Sequence, residues 1–254
     1  MTKRPATVYL VGAGPGAADL LTLRAARLLA QADIVLHDAL VTDEILALAP
    51  QARHVAVGKR CGKQSSAQSF INKQLVDAAQ RYQTVVRLKG GDPMLFGRAQ
   101  EEIACLTAAG IRVEVVPGIS AAFGASASLL QSLTQRGKSR SVTLLTPAVG
   151  TGESGHDWAS TAASADTVVL YMAGRQAERI AEGLLAAGVA PTTPAVLVEN
   201  ATLPGERIHF TSVARLGESR DWLGEGPVLM LVGEVYRSIQ AAHAAAEERW
   251  SGAA

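Results

Sequence analysis

Short runs of Val, Ile and Leu alternate along the chain with longer Ala- and Leu-rich stretches of helical period. That alternation predicts parallel strands with helices packed on them, because two parallel neighbours need a crossover and a helix is the usual one. In the first half, strands are predicted at 7–11, 34–37, 54–57, 84–88 and 113–116, and helices at 20–30, 70–80 and 99–109, the last closed by Gly110. A polar, basic stretch from Leu133 to Arg140 follows, and a second series of strands is predicted at 142–145, 167–171, 195–199, 207–210 and 228–232. Two of these flank Leu203–Glu206 closely, which predicts an antiparallel hairpin within a mixed sheet. The expected fold class is α/β, with two α/β domains. Residues 1–137 would form an N-terminal domain on a mostly parallel five-stranded sheet with flanking helices, and residues 138–254 a C-terminal domain on a mixed sheet. From Tyr236 the chain is rich in Ala and Glu and is expected to end as a fraying helix.

Composition narrows the function classes. With 48% hydrophobic and 19% charged residues the chain is globular, and at 4% aromatic it is a poor candidate for stacking on nucleic acid. A net charge of +1 gives no overall field towards nucleic acid or anionic lipid, so any basic site must be local. Met1 to Arg4 is polar and leads straight into a strand, without an apolar leader or membrane span. Cys61 and Cys105 are the only cysteines, and the five histidines form no ligand-spaced pair. The expectation is a cytoplasmic protein with no disulfide framework and no metal site.

The chemistry is concentrated in two glycine-rich segments. Gly12-Ala13-Gly14-Pro15-Gly16 follows the first strand and precedes a helix, where glycines let the backbone turn sharply and approach a ligand. With Ala17 and with Asp38 after the second strand, it also fits the fingerprint of a nicotinamide-dependent Rossmann oxidoreductase, and a plain strand-to-helix turn is the structural alternative. Pro15 argues against a pyrophosphate, because it takes one amide N–H out of the loop. Arg87-Leu-Lys89-Gly90-Gly91-Asp92-Pro93 ends the fourth strand, where open parallel sheets place their ligands, and it arrives with Arg98 and the Glu101-Glu102 pair at a helix start. Gly137-Lys138-Ser139 lacks the earlier glycine of a phosphate loop, and Cys61 in a basic loop reads as a bystander.

Gly12–Gly16, Val57-Gly58-Lys59-Arg60, Val85–Pro93, Phe96-Gly97-Arg98 and Val116-Pro117-Gly118-Ile119 stand in the order and spacing of the tetrapyrrole methylases, and within them of the uroporphyrinogen-III C-methyltransferases. Tyr171-Met172, Val198-Glu199-Asn200 and Pro227–Gly233 continue the resemblance into the second half, so that it covers residues 7 to 236. The resemblance implies an active site in the interdomain cleft, with S-adenosyl-L-methionine as cofactor, S-adenosyl-L-homocysteine as product and no metal. Carried over by position, the cofactor contacts would be Pro15, Gly90, Gly91, Asp92, Leu95, Ser120, Ala121, Met172 and Ala201, with backbone from Pro227 and Val228. Asp38 and Lys59 match a proton acceptor and a proton donor.

The implied reaction places two methyl groups on ring carbons C2 and C7 of uroporphyrinogen III, giving precorrin-2. That substrate carries eight carboxylates, so basic side chains should surround its mouth. Arg87, Arg98 and Arg136 are the substrate-binding candidates, with Lys59, Arg60, Lys63 and Lys89 also on strand ends or loops of the first domain. Gln131-Ser132, Gln135 and Thr146-Pro147-Ala148 depart from the pattern of many relatives and put tetrapyrrole contacts there in doubt. A homodimer is expected, partly from the resemblance and partly because an Ala/Leu-rich chain should keep apolar surface. A chain of this length leaves no room for the dehydrogenase and chelatase module fused to sirohaem synthases, so neither oxidation of the product nor iron insertion is expected. The rivals are another methylase of the corrin pathway, the nicotinamide-dependent oxidoreductase and a non-catalytic tetrapyrrole carrier.

Overall fold

The computed structural model describes residues 6–57, 65–148 and 156–251, with side chains at 65–67 and 247–251 left aside. The chain divides into two compact units, Met1–Ala121 and Ala122–Ala254. The sequence puts the division later, at 137/138. The difference lies in α5 (Ala121–Ser128) and the residues after it, because Ala122, Ala125, Leu129 and Leu133 are buried in the second unit's core.

In the first unit β1 (Thr7–Gly12), β2 (Ile34–His37), β3 (Arg53–Ala56), β4 (Thr84–Lys89) and β5 (Arg112–Val116) form one sheet in the order β3-β2-β4-β1-β5. All four pairings are parallel. Central strands buried on both faces read as near-continuous apolar runs, as Ile34-Val35-Leu36 of β2 does, whereas the edge strand β3 is largely exposed. Side chains alternate between two cores. Val8, Leu10, Leu36 and Val85 pack against α3 (Ser65–Arg81) and α4 (Ala99–Ala108), while Val11, Val35, Val86 and Leu88 pack against α1 (Leu23–Leu29) and α2 (Asp43–Leu46). The helix expected from residue 20 starts at Leu23, since Thr22 Oγ1 accepts from Ala25 N at 3.1 Å and caps it, and Ala18–Leu20 form a separate 3₁₀ turn.

The second sheet contains β6 (Val142–Leu145), β7 (Thr167–Leu170), β8 (Pro194–Glu199), β9 (Arg207–Ser212) and β10 (Val228–Gly233), in the order β6-β7-β10-β8-β9. Only β6 and β7 are parallel. The sheet is mixed as expected, and β8 and β9 form the expected antiparallel hairpin, with Glu199 opposite Arg207. One face packs on α6 (Trp158–Ala163) and α7 (Ala177–Ala186), helices that the strand pattern had not singled out. The other face buries α5, and Val235 and Tyr236 just ahead of α8 (Arg237–Ser251).

Tyr236 is fully buried, and its hydroxyl has no hydrogen-bond partner among the described residues. Burial alone pushes its phenol above the ordinary range. The unfolded phenol titrates near pH 10 and the folded one higher, so this group leaves stability unchanged below about pH 10 and reduces it as pH rises further. Tyr236→Phe should therefore raise unfolding free energy by about 1 kcal/mol at neutral pH and flatten the alkaline loss, as read from denaturant midpoints between pH 7 and 11.

Candidate active site

The first-unit candidates gather at one edge of the parallel sheet. The loops after β1, β4 and β5 leave the carboxyl ends of adjacent strands, the place where open α/β sheets bind ligands. Ala13 N donates to Lys89 O at 2.7 Å, and Gly14 and Gly91 exchange two backbone bonds, at 3.2 and 2.7 Å. A Cβ on Gly118 would stand 2.3 Å from Gly91 O and 2.8 Å from Gly12 Cα, so three backbones meet where no side chain fits. Gly91, at φ +67°, otherwise faces open space. Asp92 fastens the junction, accepting from Gly118 N at 3.0 Å and from Met94 N at 2.8 Å, while its carbonyl takes Leu95 N at 3.3 Å. Pro15, Gly90, Gly91, Asp92 and Leu95 thus lie on two joined loops. Ser120, which is buried, and Ala121, the first residue of α5, follow on the third.

Behind this edge lies a cluster of four charges. Arg87 and Lys89, two apart on β4, project to the same face, and both are almost wholly buried. Between them Glu102 of α4 has no exposure, with one oxygen 3.0 Å from Arg87 Nε and the other 3.0 Å from Lys89 Nζ. Arg87 Nη2 reaches Asp38 Oδ1 at 2.5 Å, and Nη1 donates to Leu88 O at 3.1 Å. Asp38 keeps 28% side-chain exposure at the end of β2. Burial acts to lower the Arg87 pKa, but Asp38 and Glu102 outweigh it and raise the value. For Lys89 burial dominates and, with the Arg87 charge, pushes the ammonium below its ordinary range despite Glu102 and Asp38.

Arg87, expected to meet substrate carboxylates, therefore has its guanidinium committed inside the protein. Arg98 is half exposed, holds Glu101 through bonds of 2.6 and 2.7 Å, and keeps that carboxyl below the usual range. Arg136 stands at the exposed tip of a turn closed by the Gln135–Ser139 bridge, in the second unit. Lys59, with Arg60, Cys61 and Lys63, lies outside the described residues.

The second unit's cofactor candidates also share one sheet edge, whereas the turn that carries Arg136 packs at the opposite edge, where Ser139 Oγ meets Thr167 Oγ1 at the start of β7 at 2.8 Å. Val228 opens β10 opposite Glu199, the last residue of β8, and Asn200 N donates to Pro227 O at 3.0 Å, which ties Pro227 and Val228 to Ala201. Met172 follows β7, the other neighbour of β10, and a Cβ on Gly174 would stand 3.0 Å from Val228 Cβ. Met172 is 56% exposed, whereas Ala201 is buried. In the sequence Glu199 stands out only as part of a motif, yet its buried carboxylate accepts from Gly226 N at 2.9 Å and from Arg207 at 2.6 and 2.8 Å, and Arg207 lies over the Trp222 ring. A charged residue ending an apolar strand was the available signal. Five of the six non-glycine residues with positive φ among those described, Phe96, Arg98, Met172, Asn200 and Thr202, fall in these site-bearing loops. Such strain persists only where surrounding structure enforces it, and it concentrates at functional sites.

The nicotinamide alternative meets a different geometry. A dinucleotide fold sets β1 beside β2 and opens a helix from its glycine loop, but here β4 separates β1 from β2 and α1 starts only at Leu23. The Gly14 amide is committed to Gly91, and Asp38 to Arg87.

The profile of the Tetrapyrrole (Corrin/Porphyrin) Methylases matches residues 7–217. The chain belongs to the tetrapyrrole methylases. It is 43% identical to a uroporphyrinogen-III C-methyltransferase of Pseudomonas aeruginosa over 233 residues, 91% of this chain and 95% of the relative. It is 42% identical to a siroheme synthase of Hydrogenovibrio crunogenus over 91% of this chain but only 49% of that protein, and it spans about half the length of the siroheme synthases it matches. A uroporphyrin-III C-methyltransferase from Thermus thermophilus, solved with S-adenosylhomocysteine, superposes with a TM-score of 0.82 at 38% identity, covering 92% of this chain and all of that one. The two-sheet fold of this methylase is thus shared with a C-methyltransferase structure.

The three-loop junction makes a direct prediction. Gly118→Ala forces a Cβ into Gly91 O and should cost about 1–3 kcal/mol, whereas Gly217→Ala, with neighbours no nearer than 3.7 Å, should change stability by less than about 1 kcal/mol. Urea midpoints of the two variants check this.

Proposed function

We propose that this methylase is a uroporphyrinogen-III C-methyltransferase, transferring two methyl groups from S-adenosyl-L-methionine to C2 and C7 of uroporphyrinogen III to give precorrin-2 and S-adenosyl-L-homocysteine. The observation that supports this reading above others is the glycine junction, because all three of its loops carry motifs of the uroporphyrinogen-III enzymes. Pro15 has no N–H and the Gly14 and Gly91 amides bond each other, so the loops offer little to a phosphate and suit a phosphate-free nucleoside held by shape. Pro15, Gly90, Gly91, Asp92, Leu95, Ser120 and Ala121 from the first unit, and Met172, Ala201, Pro227 and Val228 from the second, would hold it. Bound there, it supplies an electrophilic methyl group on sulfur.

The chain's own residues hold the macrocycle and manage protons. Arg98, by exchanging Glu101 for a substrate carboxylate, and Arg136 are the binding residues in this reading. Arg87 acts from behind, fixing Asp38 at the end of β2. Asp38 takes up the proton that the macrocycle loses as each pyrrole carbon is alkylated, and Lys59 occupies the position that matches a proton donor. Holding the reacting atoms in line is worth on the order of 7–11 kcal/mol, more than either proton transfer. A homodimer in the cytoplasm belongs to the same proposal. Phe123 at 59% and Leu130 at 92% exposure leave apolar surface beside α5, and no described helix is long and apolar enough to cross a membrane.

Incubation with uroporphyrinogen III and S-adenosyl-L-methionine should yield a doubly methylated macrocycle and two equivalents of S-adenosyl-L-homocysteine, measured by mass spectrometry. S-adenosyl-L-homocysteine at a hundred times its Kd should add about 2.7 kcal/mol of stability, with no such gain from NAD. Stabilisation by NAD alone would sink the reading.

Variants separate the two ligands. Arg98→Ala should weaken tetrapyrrole use by about 1.5–3 kcal/mol and leave adenosylhomocysteine affinity unchanged in calorimetry. Ala201→Leu should do the reverse, by crowding a buried position next to Pro227 and Val228, and its thermal midpoint separates site loss from overpacking.

A further inference from the structure

The charge cluster has one accessible end. Arg87, Lys89 and Glu102 are sealed from solvent, and only Asp38 is partly exposed, at the strand edge where the candidate site lies. Glu102 is therefore closed to solvent, with both its oxygens engaged by cations, and Gln68 Nε2 approaches the Arg87-facing one at 3.5 Å.

We propose that Glu102 is a positioning residue that acts on Asp38 through Arg87. This rests on the reading of Asp38 as the proton acceptor. A guanidinium is a rigid planar fork, so fixing one of its edges orients the other. Here Glu102 holds the Nε edge and Asp38 accepts from Nη2. Without Glu102 the fork can turn about its stem, and its bond to Asp38 no longer sets that carboxylate's direction. Charge balance works the same way. The sealed part carries two cations and one anion, so Asp38 supplies the balancing charge, and removing Glu102 would draw Asp38 inwards to serve both cations. Stability does not account for the arrangement, since buried ion clusters are often matched or exceeded by apolar packing of the same volume.

The test is a double-mutant cycle between Glu102→Gln and Asp38→Asn. It reads kcat for methyl transfer, KM for uroporphyrinogen III and Kd for S-adenosyl-L-homocysteine. Glu102→Gln should lower kcat about a hundredfold, the scale of a misplaced group, with cofactor Kd unchanged within about twofold. The double variant should be no slower than Asp38→Asn alone, because both changes disable one device. If the two losses multiply, or if Glu102→Gln keeps wild-type kcat, the proposal is overturned. An Asp38→Asn enzyme of wild-type kcat overturns the assignment of Asp38 itself and the proposal with it, and the two failures are told apart by that single variant. Should Glu102→Gln not fold, Glu102→Leu/Lys89→Met removes one charge of each sign, leaves Arg87 and Asp38 balanced, and must show the same fall in kcat and the same lack of additivity.

Discussion

Gly12, Gly91 and Gly118 bring three backbones within a distance that excludes any side chain, and the first unit's candidate site depends on that contact. Each residue ends or follows a strand of the same parallel sheet, so the approach is set by strand order: β4 and β5 flank β1, and their loops converge over its end. The convergence consumes amides that a dinucleotide loop would present to phosphate, and Asp92 completes it by accepting two N–H groups. One packing constraint thereby joins the loops, fixes Asp92 and withdraws the Ala13, Gly14 and Gly91 N–H groups from any phosphate.

The second constraint is electrostatic. Isolated charges inside a protein are costly, so the pair of cations on the inner face of β4 requires anions within reach. Glu102 comes from α4, one helix packed on that face, and Asp38 from the end of the neighbouring strand β2. The sheet core and the site thus share a charge network that spans from a fully buried carboxylate to a partly exposed one.

In the second unit the same task falls to pairing in a mixed sheet. Because β10 runs antiparallel to both β7 and β8, its start meets their ends, and Met172, Ala201 and Val228 are collected at one edge although they are far apart in sequence. Glu199 steadies the segment before β10 through Gly226, and Arg207 holds Glu199 in turn. The positive φ values at Met172, Asn200 and Thr202 show how tightly this edge is determined.

Much of this was present in the one-dimensional pattern. Runs rich in Val, Ile and Leu marked the ten strands to within a residue or two, most plainly where a strand is buried throughout, as β8 is, and the glycine segments after β1 and β4 announced where backbone comes close. The ordered motifs carried the family. What the pattern could not carry was the third dimension of each residue. Arg87 and Arg98 look alike in sequence, yet alternation along β4 turns Arg87 into the core beneath Glu102, while Arg98 precedes α4 at the surface. The unit division shifts to Ala121/Ala122 for a similar reason: an Ala-rich segment such as α5 joins whichever core it packs on, and that choice is made by the sheet it meets. Sequence alone determined where the strands lie and which family's chemistry they carry, since these follow from local periodicity and motif order. Tertiary structure alone decided which charges face one another and which face water, since burial and pairing depend on strand order and helix placement, quantities no local pattern contains.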